Sequence, residues 1–114
     1  MCTIIGYHKL NKDAIPSDNF ISQGFTLMKH RGPDAENYKL FNNTVCIGHQ
    51  RLSIIDTSDR GNQPMETERS AIVFNGEVYN YIELKKELNK KNYYSNSDTE
   101  VLLTGFEEAG VNFL

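Results

Sequence analysis

Blocks of apolar and polar residues alternate along this chain, and each block predicts an element. Thr3-Ile4-Ile5-Gly6-Tyr7 is short, β-branched and apolar, the pattern of a buried strand. Asn11 to Asp18 is polar around Pro16 and reads as a loop, with Ser17 or Asp18 placed to cap a following helix. Phe20, Gly24, Leu27 and Met28 then recur at helical spacing and predict that helix's apolar face. His30-Arg31-Gly32-Pro33-Asp34 ends it, since glycine and proline both break the pattern.

The middle of the chain is β-rich. Tyr38 to Phe41 and Thr44 to Ile47 flank Asn42-Asn43, and asparagine tolerates the positive φ of a tight hairpin turn. Arg51 to Ile55 and Ala71 to Phe74 are two further strand candidates, separated by a polar loop over Asp56 to Ser70. Two helices follow. Tyr81, Leu84 and Leu88 mark an apolar stripe on the first. Ser97-Asp98-Thr99-Glu100 has the spacing of a capping box for the second. Leu102, Leu103, Phe106 and Ala109 continue that helix, and Gly110 suits its C-cap. The predicted fold class is α+β, with helices covering a sheet face.

Composition narrows the function. A length of 114 residues and 39% apolar content fit one globular domain. The formal net charge of −3 gives no cationic surplus for nucleic acid or anionic lipid. No uninterrupted apolar run approaches the roughly 18 residues of a membrane span, and no signal peptide is visible. Two cysteines, Cys2 and Cys46, are too few for a disulfide framework, so a reducing, cytoplasmic setting is expected.

Four features carry candidate chemistry. Removal of Met1 would leave Cys2 with a thiol and a free α-amine on one residue. Such an amine ordinarily titrates near ~7.7–8.0 and suits the role of base to the thiol; the bland alternative is an incidental terminal residue. Asn75-Gly76 follows a predicted strand and reads either as an ordinary turn or as an oxyanion hole, an amide side chain beside an unobstructed backbone N–H. Arg51 could grip a carboxylate through two parallel hydrogen bonds. Asp98 either complements a helix dipole or, with Arg51, receives the two charged ends of an α-amino acid. His8, His30 and His49 show no metal-ligand spacing, so no metal site is expected. Cys46, within Thr44-Val45-Cys46-Ile47, is expected to be a small core residue. No glycine-rich phosphate loop is present.

In one order the chain carries Met1-Cys2 before an Ile-Ile-Gly strand, His30-Arg31-Gly32-Pro33-Asp34, and Gly48-His49-Gln50-Arg51-Leu52-Ser53-Ile54-Ile55-Asp56. Gln63-Pro64-Met65, Phe74-Asn75-Gly76-Glu77-Val78-Tyr79-Asn80 and Ser97-Asp98-Thr99-Glu100 follow. This series resembles the N-terminal glutaminase domain of glutamine-hydrolysing asparagine synthetases, a class II glutamine amidotransferase with the N-terminal-nucleophile hydrolase fold. Arg-Gly-Pro-Asp favours that type over glucosamine-phosphate synthases, which typically carry Arg-Gly-Tyr-Asp.

The resemblance implies stacked antiparallel sheets with helices. It implies hydrolysis of L-glutamine to glutamate and ammonia for amide synthesis. Catalysis would fall to Cys2, Asn75 and Gly76. Arg51 would hold the glutamine carboxylate, and Asp98, Glu77 and the Asn75-Gly76 backbone its α-amino group. ATP and magnesium would belong to a synthetase domain outside this chain. The family's glutaminase domain continues beyond this length, so residues 1–114 are expected to be its N-terminal portion with an incomplete fold. Two alternatives stand beside this reading: a catalytically silent remnant that binds glutamine or a partner, and one subunit of a split enzyme with a separate synthetase polypeptide. Thr3 departs from the family's usual glycine, and it would either crowd the thiol or turn into the core.

Overall fold

The central strand of the larger sheet divides its side chains between two jobs, and that division organises the molecule. The computed structural model describes residues 1–11 and 19–114. In chain order the elements are β1 (Thr3–His8), α1 (Phe20–Met28), β2 (Ala35–Phe41), β3 (Val45–Arg51), β4 (Met65–Glu66) and β5 (Ala71–Ile72), then α2 (Tyr81–Glu87) and α3 (Asp98–Ala109). Short 3-10 turns occupy Asp59–Gly61 and Gly110–Phe113. Among the described residues, β1, β3 and β2 form an antiparallel sheet with β3 central, while β4 and β5 form a separate antiparallel pair. This is a mixed α/β arrangement of antiparallel sheets and helices.

Strand alternation sends Cys46, Gly48 and Gln50 of β3 toward α1 and His49 and Arg51 to the opposite side. On the α1 side, Cys46 joins Ile21 and Phe25 in a buried cluster, with Ile5 and Tyr7 against it. A Cβ on Gly48 would come within 2.9 Å of the Phe25 ring, so the glycine lets the helix sit close to the sheet. Gln50 adds one polar tie, donating from Nε2 to the Phe25 carbonyl at 2.8 Å. Burial pushes the Cys46 thiol upward in pKa, which suits an inert core residue.

The hairpin is as expected. Asn42 and Asn43 have φ of 49° and 56°, and the Thr44 N–H closes the turn on the Phe41 carbonyl at 3.0 Å. Several other expectations need correction. The buried face of α1 runs through Ile21 and Phe25, whereas Phe20 and Leu27 are exposed; Phe20 instead meets the Tyr7 ring edge-on. The expected loop and cap at Ser17 or Asp18 lie outside the described residues, and Asn19 holds the cap position. Arg51 ends β3 rather than opening a new strand, because its guanidinium gathers the following carbonyls into a loop. Of the expected strand from Ala71 to Phe74, only Ala71–Ile72 pairs.

The C-terminal helices also differ in detail. No residue of α2 is fully buried, so its stripe is only half covered. On α3 the buried residues include Val101, Leu103 and Thr104, while Phe106 and Ala109 face out. Ser97 does cap α3, but it accepts from Thr99 N–H at 3.2 Å. The capping box is not reciprocal: Glu100 reaches upstream to Tyr94 N–H, Ser95 N–H, the Ser95 hydroxyl and Lys90. Burial alone would raise the Glu100 carboxyl, but those donors outweigh it and hold the group below its ordinary range. Gly110 terminates α3 with φ of 64°, as a C-cap glycine does.

Candidate active site

Cys2 reaches the site because β1 pairs antiparallel with β3 in a register that sets Thr3 opposite Gln50. Cross-strand partners share a face, so Thr3 points with Gln50 toward the α1 side, and Cys2 falls on the side of Arg51. Thr3 is buried and does not line the cavity, which puts the β-branched side chain in the core rather than beside the thiol. Its hydroxyl has no partner among the described residues. The Cys2 thiol is half-buried. Its Sγ accepts from the Leu52 N–H at 3.4 Å and faces the Leu52 carbonyl at 3.8 Å.

Arg-Gly-Pro-Asp supports this corner from outside the sheet. A Cβ on Gly32 would lie 2.5 Å from the Gln50 carbonyl, so only glycine lets the chain run against β3 there. Asp34 then bonds both ways, its N–H to the Arg51 carbonyl at 3.0 Å and its carboxylate to the Ser53 N–H at 2.7 Å. These contacts hold the chain on either side of Leu52, the residue that touches the thiol.

Arg51 is buried and organises the loop that follows it. Nη1 donates to the Ser58 carbonyl at 2.8 Å and to Asn62 Oδ1 at 2.9 Å; Nη2 donates to the Ile55 carbonyl at 3.0 Å and to the Asp56 carbonyl. Those bonds engage all four terminal N–H groups and leave the Nε–H outside them. A carboxylate arriving at Arg51 therefore meets its charge, and the two-bond grip expected from sequence requires a loop carbonyl to let go. Gly61 makes the wrap possible, since a Cβ there would sit 2.3 Å from Nη2. Asp56 adopts a φ of 49° at the bend. Hydrogen bonds from the Ser58 hydroxyl and the Asn96 N–H hold its carboxyl below the ordinary range, and the second ties the loop to the start of α3.

Asn75, Gly76 and Glu77 lie exposed on a strap between two anchored ends. At one end the Phe74 N–H donates to Gln63 Oε1 at 2.5 Å, and the Phe74 carbonyl meets His49 Nε2 at 3.1 Å. At the other end the Val78 N–H donates to the buried Asp98 carboxylate at 2.9 Å. Gly76 packs so closely that a Cβ would reach within 2.7 Å of the Phe74 ring.

Cys2, Arg51, Asn75, Gly76, Glu77 and Asp98 all line one cavity of about 420 Å³. Every candidate residue from the sequence thus converges on one space. Leu52 was invisible beforehand because it acts through its backbone, which any residue supplies. Among the described residues, no group of three or more His, Cys, Asp and Glu side chains is arranged to hold a metal.

A sequence model of the glutamine amidotransferase domain family matches residues 1–114. This chain belongs to that family. It is 44% identical over 113 residues to an asparagine synthetase (glutamine-hydrolysing) 1 of Bacillus subtilis, an alignment covering 93% of this chain and 17% of the relative. It is 36% identical over 129 residues to a putative asparagine synthetase (glutamine-hydrolysing) 2 of Methanocaldococcus jannaschii, covering 96% of this chain and 24% of that one. Against asparagine synthetase B (glutamine-hydrolysing) of Escherichia coli the identity is 34% over 117 residues, covering 100% of this chain and 21% of that protein. This chain therefore spans a quarter or less of the length of these relatives. Among the described residues, no helix is long and apolar enough to cross a membrane.

Proposed function

We propose that this domain hydrolyses L-glutamine to glutamate and ammonia at Cys2, within a larger asparagine-synthetase-like enzyme. The observation that carries the reading is the convergence of the thiol, the Asn75-Gly76 donors, one cation and two carboxylates on a single cavity of about 420 Å³. Such a space accepts a small zwitterion with a polar side chain. The positive charge of Arg51 would attract the α-carboxylate, and Asp98 with Glu77 the α-ammonium.

In this mechanism Cys2 Sγ attacks the side-chain amide carbon. The Cys2 α-amine takes the thiol proton and passes it to the departing nitrogen. With Met1 in place that nitrogen is a peptide N–H with no basic lone pair, so the step requires Met1 to be excised. The oxyanion falls to the Asn75 side-chain amide and the Gly76 N–H, donors worth about 3–4 kcal/mol in sites of this kind. The C–N bond breaks, ammonia leaves and a glutamyl thioester remains. Water then attacks the thioester, the C–S bond breaks, and glutamate departs as the thiol regains its proton. ATP and magnesium enter this scheme only in the synthetase portion that consumes the ammonia.

Two separate antiparallel sheets, with a Lys39–Glu66 ion pair between them and a His49–Phe74 bond just beyond β5, support assignment to the N-terminal-nucleophile hydrolase fold. The test is glutamate release from glutamine by chain whose N-terminus is verified by mass spectrometry to begin at Cys2. Turnover that disappears in Cys2→Ala supports the reading. Turnover that survives in Cys2→Ala, or none from folded chain, refutes it.

A further inference from the structure

Among the described residues, the strap that carries Asn75 and Gly76 has no ladder partner: β5 stops at Ile72, and no backbone hydrogen bond to another strand holds residues 73–77. An oxyanion hole works only when its donors are fixed before charge develops, within about 0.5 Å of the productive place. Among the described residues, side chains rather than a sheet ladder hold Phe74, the residue from which the donors extend.

Two buried polar side chains reach it from different elements. His49, at the centre of the sheet and 1% exposed, places Nε2 3.1 Å from the Phe74 carbonyl. A carbonyl can only accept, so Nε2 carries the proton and the neutral tautomer is set. Burial keeps the imidazole below the ordinary histidine range, with the Arg51 charge adding to the effect against the pull of the Phe74 carbonyl. Gln63, 7% exposed, takes the Phe74 N–H on Oε1 at 2.5 Å and gives its own Nε2 hydrogen to Thr99 Oγ1 at 3.1 Å. Thr99 is buried beside Asp98 in the first turn of α3. Gln63 consequently spans from the oxyanion strap to the helix start that carries the α-ammonium acceptor.

We propose that His49 and Gln63 are positioning residues that clamp both polar groups of Phe74 and so hold Asn75 and Gly76 at the thiol. The proposal rests on the glutaminase reading for its chemical purpose, while the clamp itself is a structural claim. Neither residue has a spacing that announces it: His49 lies within a strand, and Gln63 in a loop before a cis proline bond. Burying an imidazole and an amide costs free energy unless they are hydrogen-bonded, and here the His49 Nε2 and Gln63 Oε1 bonds converge on one residue, while His49 Nδ1 has no partner among the described residues.

The test uses the full chain beginning at Cys2, with glutamate release kinetics and residue-resolved amide hydrogen exchange. His49→Leu and Gln63→Leu remove the two grips. His49→Gln keeps an N–H near the Nε2 position, and Gln63→Glu keeps an acceptor for the Phe74 N–H. Each leucine variant is expected to lower kcat by about tenfold or more with KM within about twofold, and to speed exchange of the Phe74 amide about tenfold. Amides of β1 and β3 should keep their protection. The conservative variants should recover to within about threefold of wild type.

Should leucine at either position unfold the chain, Thr99→Val removes the acceptor for the Gln63 amide together with a 3.5 Å hydrogen bond to Asp98 Oδ1; it is then expected to lower kcat and to speed exchange of the Phe74 amide. Unaltered kcat, a rise in KM alone, or faster exchange spread evenly over the sheet would overturn the clamp. If wild-type chain releases no glutamate, the glutaminase reading and the clamp's catalytic purpose both fall. Phe74 exchange then still decides the structural claim, which stands if the acceleration is confined to Phe74 and fails if Phe74 is unchanged.

Discussion

The two faces of β3 make opposite use of burial. Toward α1, Ile21, Phe25 and Cys46 exclude water, and shape matters more than partner chemistry. Toward the cavity, His49 and Arg51 are just as buried, yet each is held by hydrogen bonds to named atoms. The same contrast extends into α3, where Asp98, Thr99 and Glu100 are buried carriers of bonds to distant segments. An apolar contact fixes distance loosely and in every direction. A buried hydrogen bond fixes one atom relative to another and is costly to leave unmade. The face that turns toward the cavity lined by Cys2, Arg51, Asn75 and Gly76 is built from the second kind.

That contrast can be broken at either face. Cys2→Ala should reduce glutamate release by more than ~10³-fold while leaving the thermal midpoint within about 2 °C, since the thiol supports chemistry and little packing. Its counterpart is Phe25→Ala, expected to cost about 3–5 kcal/mol in chemical denaturation. The KM for glutamine should stay at the wild-type value wherever that variant remains folded. Substituting Asn75 by alanine should cut kcat by ~10²–10³. Because Asn75 is exposed, stability should move by no more than about 0.5 kcal/mol.

Acid should expose the polar face selectively. His49 is held below its ordinary range, so unfolded chain takes up a proton below about pH 6.5 that the folded chain resists, and stability declines from there. Glu100 is also held below its ordinary range, which adds stability above about pH 4.3 that is lost as the pH falls through the folded value. Glu100→Gln should therefore lower stability at neutral pH by about 2 kcal/mol and flatten the lower of the two acid steps. Thermal melts from pH 8 to 3 separate the steps; an unchanged lower step would remove Glu100 from the account. The smallest effect belongs to Thr3→Gly, which should cost about 1 kcal/mol through strand entropy and lost packing, with kcat and KM within about twofold. A marked gain in kcat would instead place Thr3 in the path of substrate.

Legibility followed the same division. The hairpin at Asn42-Asn43, the start of α3 at Ser97 and the core position of Cys46 could all be read locally, because positive φ, capping and short apolar runs are properties of neighbouring residues. The stripe predicted for α1 includes Gly24, which does approach Ile5, but the buried side chains beside it are Ile21 and Phe25 rather than Phe20 and Leu27. Arg51 to Ile55 reads as a strand because Leu52, Ile54 and Ile55 are apolar, but the demand of one guanidinium for the Ile55, Asp56 and Ser58 carbonyls bends it into a loop. Glu100 looked like half of a capping box, yet Ser95 and Lys90 offer it a charge-assisted network that a local box cannot match.

For the candidate site, residue types raised Cys2, Arg51, Asn75-Gly76 and Asp98 as candidates with ordinary alternatives beside them, and the order of the motifs, through the family resemblance, assigned their roles and added Glu77. Their meeting in one cavity depends on the β1–β3 register and on how loop and helix return to the sheet, which are distant relations that no local pattern encodes. The roles of His49, Gln63 and the Leu52 backbone belong wholly to tertiary structure. A histidine in a strand, a glutamine in a loop and a peptide N–H become specific only when folding brings one acceptor or one sulfur within about 3 Å of them.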